Sequence, residues 1–89
     1  MQEKDLDIKF NEAFEIASNM SQALPQDVML RLYAYYKQAT YGNFDYTQLG
    51  TGDNLRNAFK TNAWLQISHL TEEEAKILYI ETVNIIYNL

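Results

Sequence analysis

Tyr33-Ala34-Tyr35-Tyr36-Lys37-Gln38-Ala39-Thr40 is the run from which the rest of this 89-residue chain can be read. At 3.6 residues per turn, Tyr33, Tyr36, Lys37 and Thr40 fall on one side of a helix, and Leu32, Tyr35 and Ala39 fall on a neighbouring stripe. The second stripe reads as core. The first sets two aromatic faces with phenolic hydroxyls beside an ammonium, a combination that suits a flat, polar, anionic group better than an interior. Seven tyrosines in the chain, with Tyr33, Tyr35, Tyr36 and Tyr41 in one stretch, exceed what core packing needs, because a buried phenol must find a partner for its hydroxyl. From the residues alone, a ligand face and a packed, partly exposed face both stay open.

Working outward, the helix that carries this run is expected from about Gln26 to Thr40, with Pro25 in its first turn, where no amide donor is needed. Val28, Leu32, Tyr35 and Ala39 form its buried stripe, and Met29 continues the row of Tyr33, Tyr36 and Thr40. Gly42 is placed to stop it. Tyr41 to Gly52 carries no helical period, and its three aromatics predict a loop packed over the body and long enough for the next helix to run parallel to this one.

Upstream, Leu6, Phe10, Ala13, Ala17 and Met20, widened by Phe14 and Ile16, predict an amphipathic helix of roughly four turns. Asp5 or Asp7 is expected to cap its start, and Asn19-Met20-Ser21 to begin the connector to Pro25. Downstream, Thr51 or Asp53 opens a third helix bearing Leu55, Phe59, Ala63 and either Gln66 or Ile67. On it Arg56 and Lys60 form a basic pair at i and i+4 that hints at an anionic partner. Thr71-Glu72-Glu73-Glu74 is a capping box for a fourth helix. Ala75, Leu78, Thr82, Ile85 and Leu89 form one stripe of that helix and Tyr79, Val83 and Ile86 the next. A helix apolar over so much of its circumference is expected to lie against two neighbours.

Eighty-nine residues make one domain, because below roughly 100 residues a chain has too little interior for two cores. Three Gly, one Pro and 47% hydrophobic residues argue against disorder and for helices. The absence of cysteine excludes disulfides, thiol catalysis and Cys-built zinc sites. The polar start Met1-Gln2-Glu3-Lys4-Asp5 lacks a signal-peptide core, and no stretch approaches the ~20 apolar residues of a membrane span, so a cytoplasmic location is expected, with no stable membrane insertion. A net charge of -5 disfavours nucleic acid, which needs a broad cationic surface. It leaves room for a small anion, since screening confines distant carboxylates to about 8 Å.

Catalysis has little to work with. His69, the one histidine, stands just before a helix cap and reads as a surface or packing residue. The acidic residues Glu72, Glu73 and Glu74 are explained by the positive end of the helix they begin. Gly50-Thr51-Gly52 lacks both the Lys-Ser/Thr of a phosphate loop and the third Gly of a dinucleotide fingerprint, and reads as a turn. Trp64 reads as core rather than as a ligand platform. No enzyme activity, metal or cofactor is expected.

The order aromatic, Lys-Gln, small pair and Gly in Tyr33-Ala34-Tyr35-Tyr36-Lys37-Gln38-Ala39-Thr40-Tyr41-Gly42 closely resembles the most characteristic stretch of the acyl-CoA-binding protein family. The resemblance runs from about Phe10 to Tyr87. It implies an all-α, four-helix bundle with a long loop between helices 2 and 3, a single acyl-CoA-binding domain over residues 1–89, and a small stand-alone, monomeric carrier. The implied function is non-covalent binding, buffering and intracellular transport of medium- and long-chain fatty acyl-CoA esters. Carried over residue by residue, the resemblance implies Tyr33 and Lys37 near phosphate, Tyr36 stacked on adenine, Lys60 on the ribose 3'-phosphate and Tyr79 closing the pocket from the fourth helix. It also implies that Met29 and Leu30 line the acyl chain. The chain departs from the family pattern at Thr61, where Trp commonly follows the lysine, at Pro25, one place late, and at Ser18 and Ala23, where lysines are common; Arg56 or Lys9 is the expected compensation. The competing expectation is a helical protein interaction module that uses the tyrosine-rich face as a hot spot. An enzyme acting on thioesters has no nucleophile-base pair to support it.

Overall fold

Four stretches free of internal Gly and Pro form helices in the computed structural model, which describes residues 3–20, 23–42 and 55–88. They are α1 (Glu3–Asn19), α2 (Gln26–Tyr41), α3 (Leu55–Gln66) and α4 (Glu72–Tyr87). The loop expected after Gly42, the Gly50-Thr51-Gly52 turn, the helix start at Thr51 or Asp53, Leu89, and the side chains of Leu55 and Arg56 lie outside what is described.

Pro25 stands at the N-cap of α2 rather than in its first turn, with φ -56° and ψ 150° and its carbonyl accepting the amides of Val28 and Met29. Gly42 ends the helix at φ +79°, a conformation that L side chains rarely adopt, and its amide donates to the Gln38 carbonyl. A Cβ there would also run into the Glu72 carboxylate at the start of α4. The α4 capping box is complete: the Glu74 amide donates to Thr71 Oγ1 at 3.0 Å, and the Thr71 amide donates to Glu74 Oε1 at 2.9 Å. Those two hydrogen bonds, the backbone one first, hold the Glu74 carboxyl below its usual range.

The helices pack in the spatial order α3, α2, α4, α1. Asp7 meets Lys76 in an ion pair at 2.6 Å and Phe10 meets Tyr79, so α1 and α4 run the same way. Gly42 lies by Glu72 and Tyr36 by Tyr79, so α2 and α4 are antiparallel. Tyr33 pairs with Lys60 and Gln38 with Trp64, which sets α2 and α3 parallel, as the loop length predicts. The main core lies between α1, α2 and α4, where Phe10, Ala13, Ala39, Ala75, Tyr79 and Val83 are buried. As its two apolar stripes predict, α4 touches both neighbours.

Several sequence expectations are corrected. The first helix begins at Glu3, so Asp5 and Asp7 lie inside it and Asp7 pairs with Lys76 instead of capping. Met20 falls past the end of α1 and is exposed. Ile85 is 80% exposed, because α1 and α2 both cover the Tyr79 and Val83 side of α4. On α2 the fully buried positions are Ala34, Gln38 and Ala39, while Leu32 and Tyr35 are only partly covered. On α3, Phe59 faces outward and Trp64 is the anchor.

Candidate ligand-binding site

A three-residue step along a helix turns by about 300° and a four-residue step by about 400°. From Tyr33, the step to Tyr36 therefore leads round one way and the step to Lys37 the other. In the structure this splits the face that the sequence treats as one. Tyr36 turns toward α1 and α4. Its ring lies 6.1 Å from Phe10, 4.9 Å from Phe14 and 6.3 Å from Tyr79, centroid to centroid. Tyr33 and Lys37 turn toward α3.

There cations join the rings: Tyr41 and Trp64 pack with centroids 5.6 Å apart, and two lysines lie over the aromatic faces. Lys37 Nζ stands 4.4 Å from the Tyr41 ring centroid, 5.7 Å from Tyr33 and 5.8 Å from Trp64, and donates to the Tyr41 hydroxyl at 3.4 Å. Lys60 Nζ approaches Tyr33 at 5.2 Å. Tyr33 is thus flanked by two ammonium groups, one from each helix. Ring quadrupoles attract them by about 0.5–1 kcal/mol each at a partly exposed site. Neither lysine is ion-paired with a carboxylate among the described residues, where Asp7 with Lys76 is the one ion pair.

Beside this pair opens a cavity of about 520 Å³, lined by Gln26, Met29, Leu30, Tyr33, Phe59 and Lys60. Its size is that of a small-molecule site. Met29 and Phe59 are exposed apolar side chains in its lining, so the cavity sets bare hydrocarbon beside the Lys60 ammonium, with Lys37 nearby over the Tyr33 ring.

Gln38 holds the floor in place. Its side chain is fully buried, its Oε1 accepts the Trp64 indole N–H at 2.9 Å, and its Nε2 lies within donating distance of the carbonyls of Gly42, Ser68 and Leu70. One amide thus ties the end of α2 to the last turn of α3 and to the connector into α4. This also explains how an indole can be fully buried at position 64: its one donor is satisfied.

The expected site residues therefore divide. Met29, Leu30, Tyr33 and Lys60 line one cavity, and Lys37 stands beside it over the shared Tyr33 ring. Tyr36 is half-buried on the opposite side of α2, and Tyr79 is buried behind it at 5% exposure. Burial pushes the Tyr79 phenol up to about 12, with Tyr36 and Tyr87 adding to the effect. Sequence reasoning left out Tyr41, Gln38, Gln26 and Phe59. Tyr41 had a signal, since Tyr33, Lys37 and Tyr41 recur at four-residue steps and stack along one row. Gln38 had none, because a polar residue on an apolar stripe looks like a solvent position until its partners are known.

Among the described residues no group of three His, Asp or Glu could hold a metal ion, and no helix is long and apolar enough to cross a membrane.

Comparison with known proteins gives one consistent result. The family model described as acyl CoA binding protein matches residues 7–83. Acyl-CoA-binding domain-containing protein 5 of Rattus norvegicus is 35% identical over 80 residues, which is 81% of this chain and 16% of that protein. Its counterpart 5A in Danio rerio is 33% identical over 82 residues, again reaching 16% of that protein. The chain thus spans about a sixth of the length of these curated relatives. The crystal structure of Oryza sativa Acyl-CoA-Binding Protein 2 superposes with a TM-score of 0.78 at 31% identity, covering 93% of this chain and 91% of that one.

Proposed function

The chain belongs to the acyl-CoA-binding protein family, and we propose that it binds medium- and long-chain fatty acyl-CoA esters without covalent chemistry, buffering and carrying them within the cell as a monomer. The observation that supports this most is the pairing of two lysines that lack carboxylate partners among the described residues with an apolar cavity across one shared ring, Tyr33. An acyl-CoA ester has the same division: phosphates at one end and hydrocarbon at the other.

In this reading Lys37 and Lys60 leave their aromatic rings for the phosphates, with Lys60 taking the ribose 3'-phosphate. Charge-assisted hydrogen bonds to a dianion are stronger than cation–π contacts at an exposed ring, so the exchange favours the bound state. Tyr33 keeps the two cations apart and offers its hydroxyl to phosphate. The acyl chain lies along Met29 and Leu30, each buried methylene worth ~0.8 kcal/mol. Tyr36 is only half-buried and keeps part of its ring for adenine, and Tyr79 backs it. Holding the thioester against the protein shields it from water, and the carrier needs no nucleophile or base of its own.

Isothermal titration of the delipidated protein with palmitoyl-CoA, with free CoA and with palmitate tests the reading. One-to-one binding of the ester, far tighter than either fragment, is expected. No binding of any acyl-CoA would overturn it and turn attention to a protein partner for the tyrosine-rich face.

A further inference from the structure

The groove between α2 and α3 does not stop at the first cavity. A second one, of about 380 Å³, lies between the same helices, and two residues, Leu30 and Phe59, line both. We infer that Phe59 is the residue that sets acyl chain length: it is a movable partition between the cavity beside the lysines and a distal extension that takes the far end of long tails. This rests on the reading that the site binds acyl-CoA.

Three observations carry it. The distal cavity has apolar lining from Ala34, Tyr35, Ala63 and Ile67, which continues the hydrocarbon surface begun at Met29 and Leu30. Its charged lining residues are Asp27 and Arg31, one of each sign, so it offers no net attraction to phosphate, whereas the first cavity carries Lys60. The head group thus belongs at one end of the groove and the neutral tail at the other.

Phe59 is not locked into packed interior. It is 40% exposed and stands outside the main core, and α3 is anchored instead by the fully buried Trp64 and its hydrogen bond to Gln38. Swinging the ring about its side-chain bonds opens no hole in packed interior. Leu30, by contrast, is half-buried on α2 and forms a fixed floor common to both chambers. A short tail is accommodated before Phe59 is reached. A longer one must displace the ring, and only then gains the distal surface.

Burying a methylene is worth about fourfold in affinity, so a barrier at one residue appears as a break in the dependence of affinity on chain length. Titrations of octanoyl-, lauroyl-, palmitoyl- and arachidoyl-CoA into the wild type, Phe59→Ala and Phe59→Trp proteins test this, with the thermal midpoint of each protein recorded alongside. The quantity read is the ratio of arachidoyl-CoA to lauroyl-CoA affinity, in which any general loss cancels. Phe59→Ala is expected to raise that ratio more than about tenfold, the worth of two further methylenes. Phe59→Trp is expected to lower it and to move the break to shorter chains. Equal losses at every length, with the ratio unchanged in both variants, would overturn the assignment and leave Phe59 as ordinary contact area. Absence of binding for every ester, in the wild type as well, would overturn it together with the reading beneath it.

Discussion

Tyr33 and Tyr36 lie within one turn of each other on α2, yet they meet opposite chemistry. Tyr36 turns to α1 and α4, where Phe10, Phe14 and Tyr79 surround it. Tyr33 turns to α3, where it is flanked by Lys37 and Lys60. Rings packed on rings exclude water and hold the helices together. A ring between two ammonium groups keeps both in reach of solvent and of an incoming anion, at a contact energy that a phosphate exceeds. On the proposed reading, one helix thus commits Tyr36 mainly to packing, with part of its ring left for adenine, and turns Tyr33 toward the phosphates, and Gln38 sits on the seam.

The separation can be broken first from the stable side. Phe10→Ala removes a buried ring that touches both Tyr36 and Tyr79, and should cost about 3–5 kcal/mol in urea unfolding. Below its unfolding range the variant should still bind acyl-CoA, with a loss smaller than that of the lysine variants, since Phe10 lines neither cavity between α2 and α3 and reaches the ligand only through Tyr36. Gln38→Ala strikes the seam. It strips a partner from the buried indole of Trp64 and from the carbonyls of Gly42, Ser68 and Leu70, a loss on the order of 3 kcal/mol. Hydrogen exchange sharpens the comparison here, because amides of α3 should lose protection before those of α1 and α4. If all four helices open together, the two sides are not separable in stability.

Tyr79 gives a pH test of the same boundary. Its phenol is raised from 10 to about 12 in the folded protein, chiefly by burial. The folded state therefore holds this proton more tightly than the unfolded chain, and the stabilisation is fully present below pH 10 and lost as pH rises from 10 to about 12. Tyr79→Phe should remove this loss, read as an alkaline arm of the unfolding midpoint that no longer falls as steeply. The smallest effect belongs to neither side. Thr71→Ala should cost about 1 kcal/mol through the α4 cap. Because Glu74 is held below its ordinary 4.5, its contribution is present above that pH and is lost as pH falls below it, so the variant should also show a weaker acid dependence.

Local signals in the sequence were strong where a single turn decides the outcome. The α4 start is written in Thr71 and Glu74, the α2 stop in Gly42, and the helices in uninterrupted apolar periods. Trp64 reads as core and is fully buried. What periodicity cannot supply is which neighbour a stripe meets. Ile85 shares a stripe with Ala75, yet α1 and α2 cover the other side of α4 and leave it in solvent. Phe59 falls on the expected core stripe of α3, but the burial there goes to Trp64, whose N–H finds its partner 26 positions away, on Gln38, where no local pattern points. Tyr33, Tyr36 and Lys37 look like one face because they are close in sequence. A difference of one residue in spacing sends Tyr36 into a different interface.

On the proposed reading, the α3-facing side of α2 takes the phosphates and the acyl chain, and Lys37 and Lys60 are held for a ligand rather than for the fold. Titrating palmitoyl-CoA into the wild type and into a Lys37→Ala/Lys60→Ala protein, with urea unfolding of both, tests it most directly. Affinity is expected to fall by about a hundredfold or more, as for two charge-assisted contacts worth about 1.5–3 kcal/mol each, while unfolding free energy changes by no more than about 2 kcal/mol, the worth of about 1 kcal/mol of cation–π attraction for each lysine. A double variant that binds the ester as tightly as the wild type would contradict it.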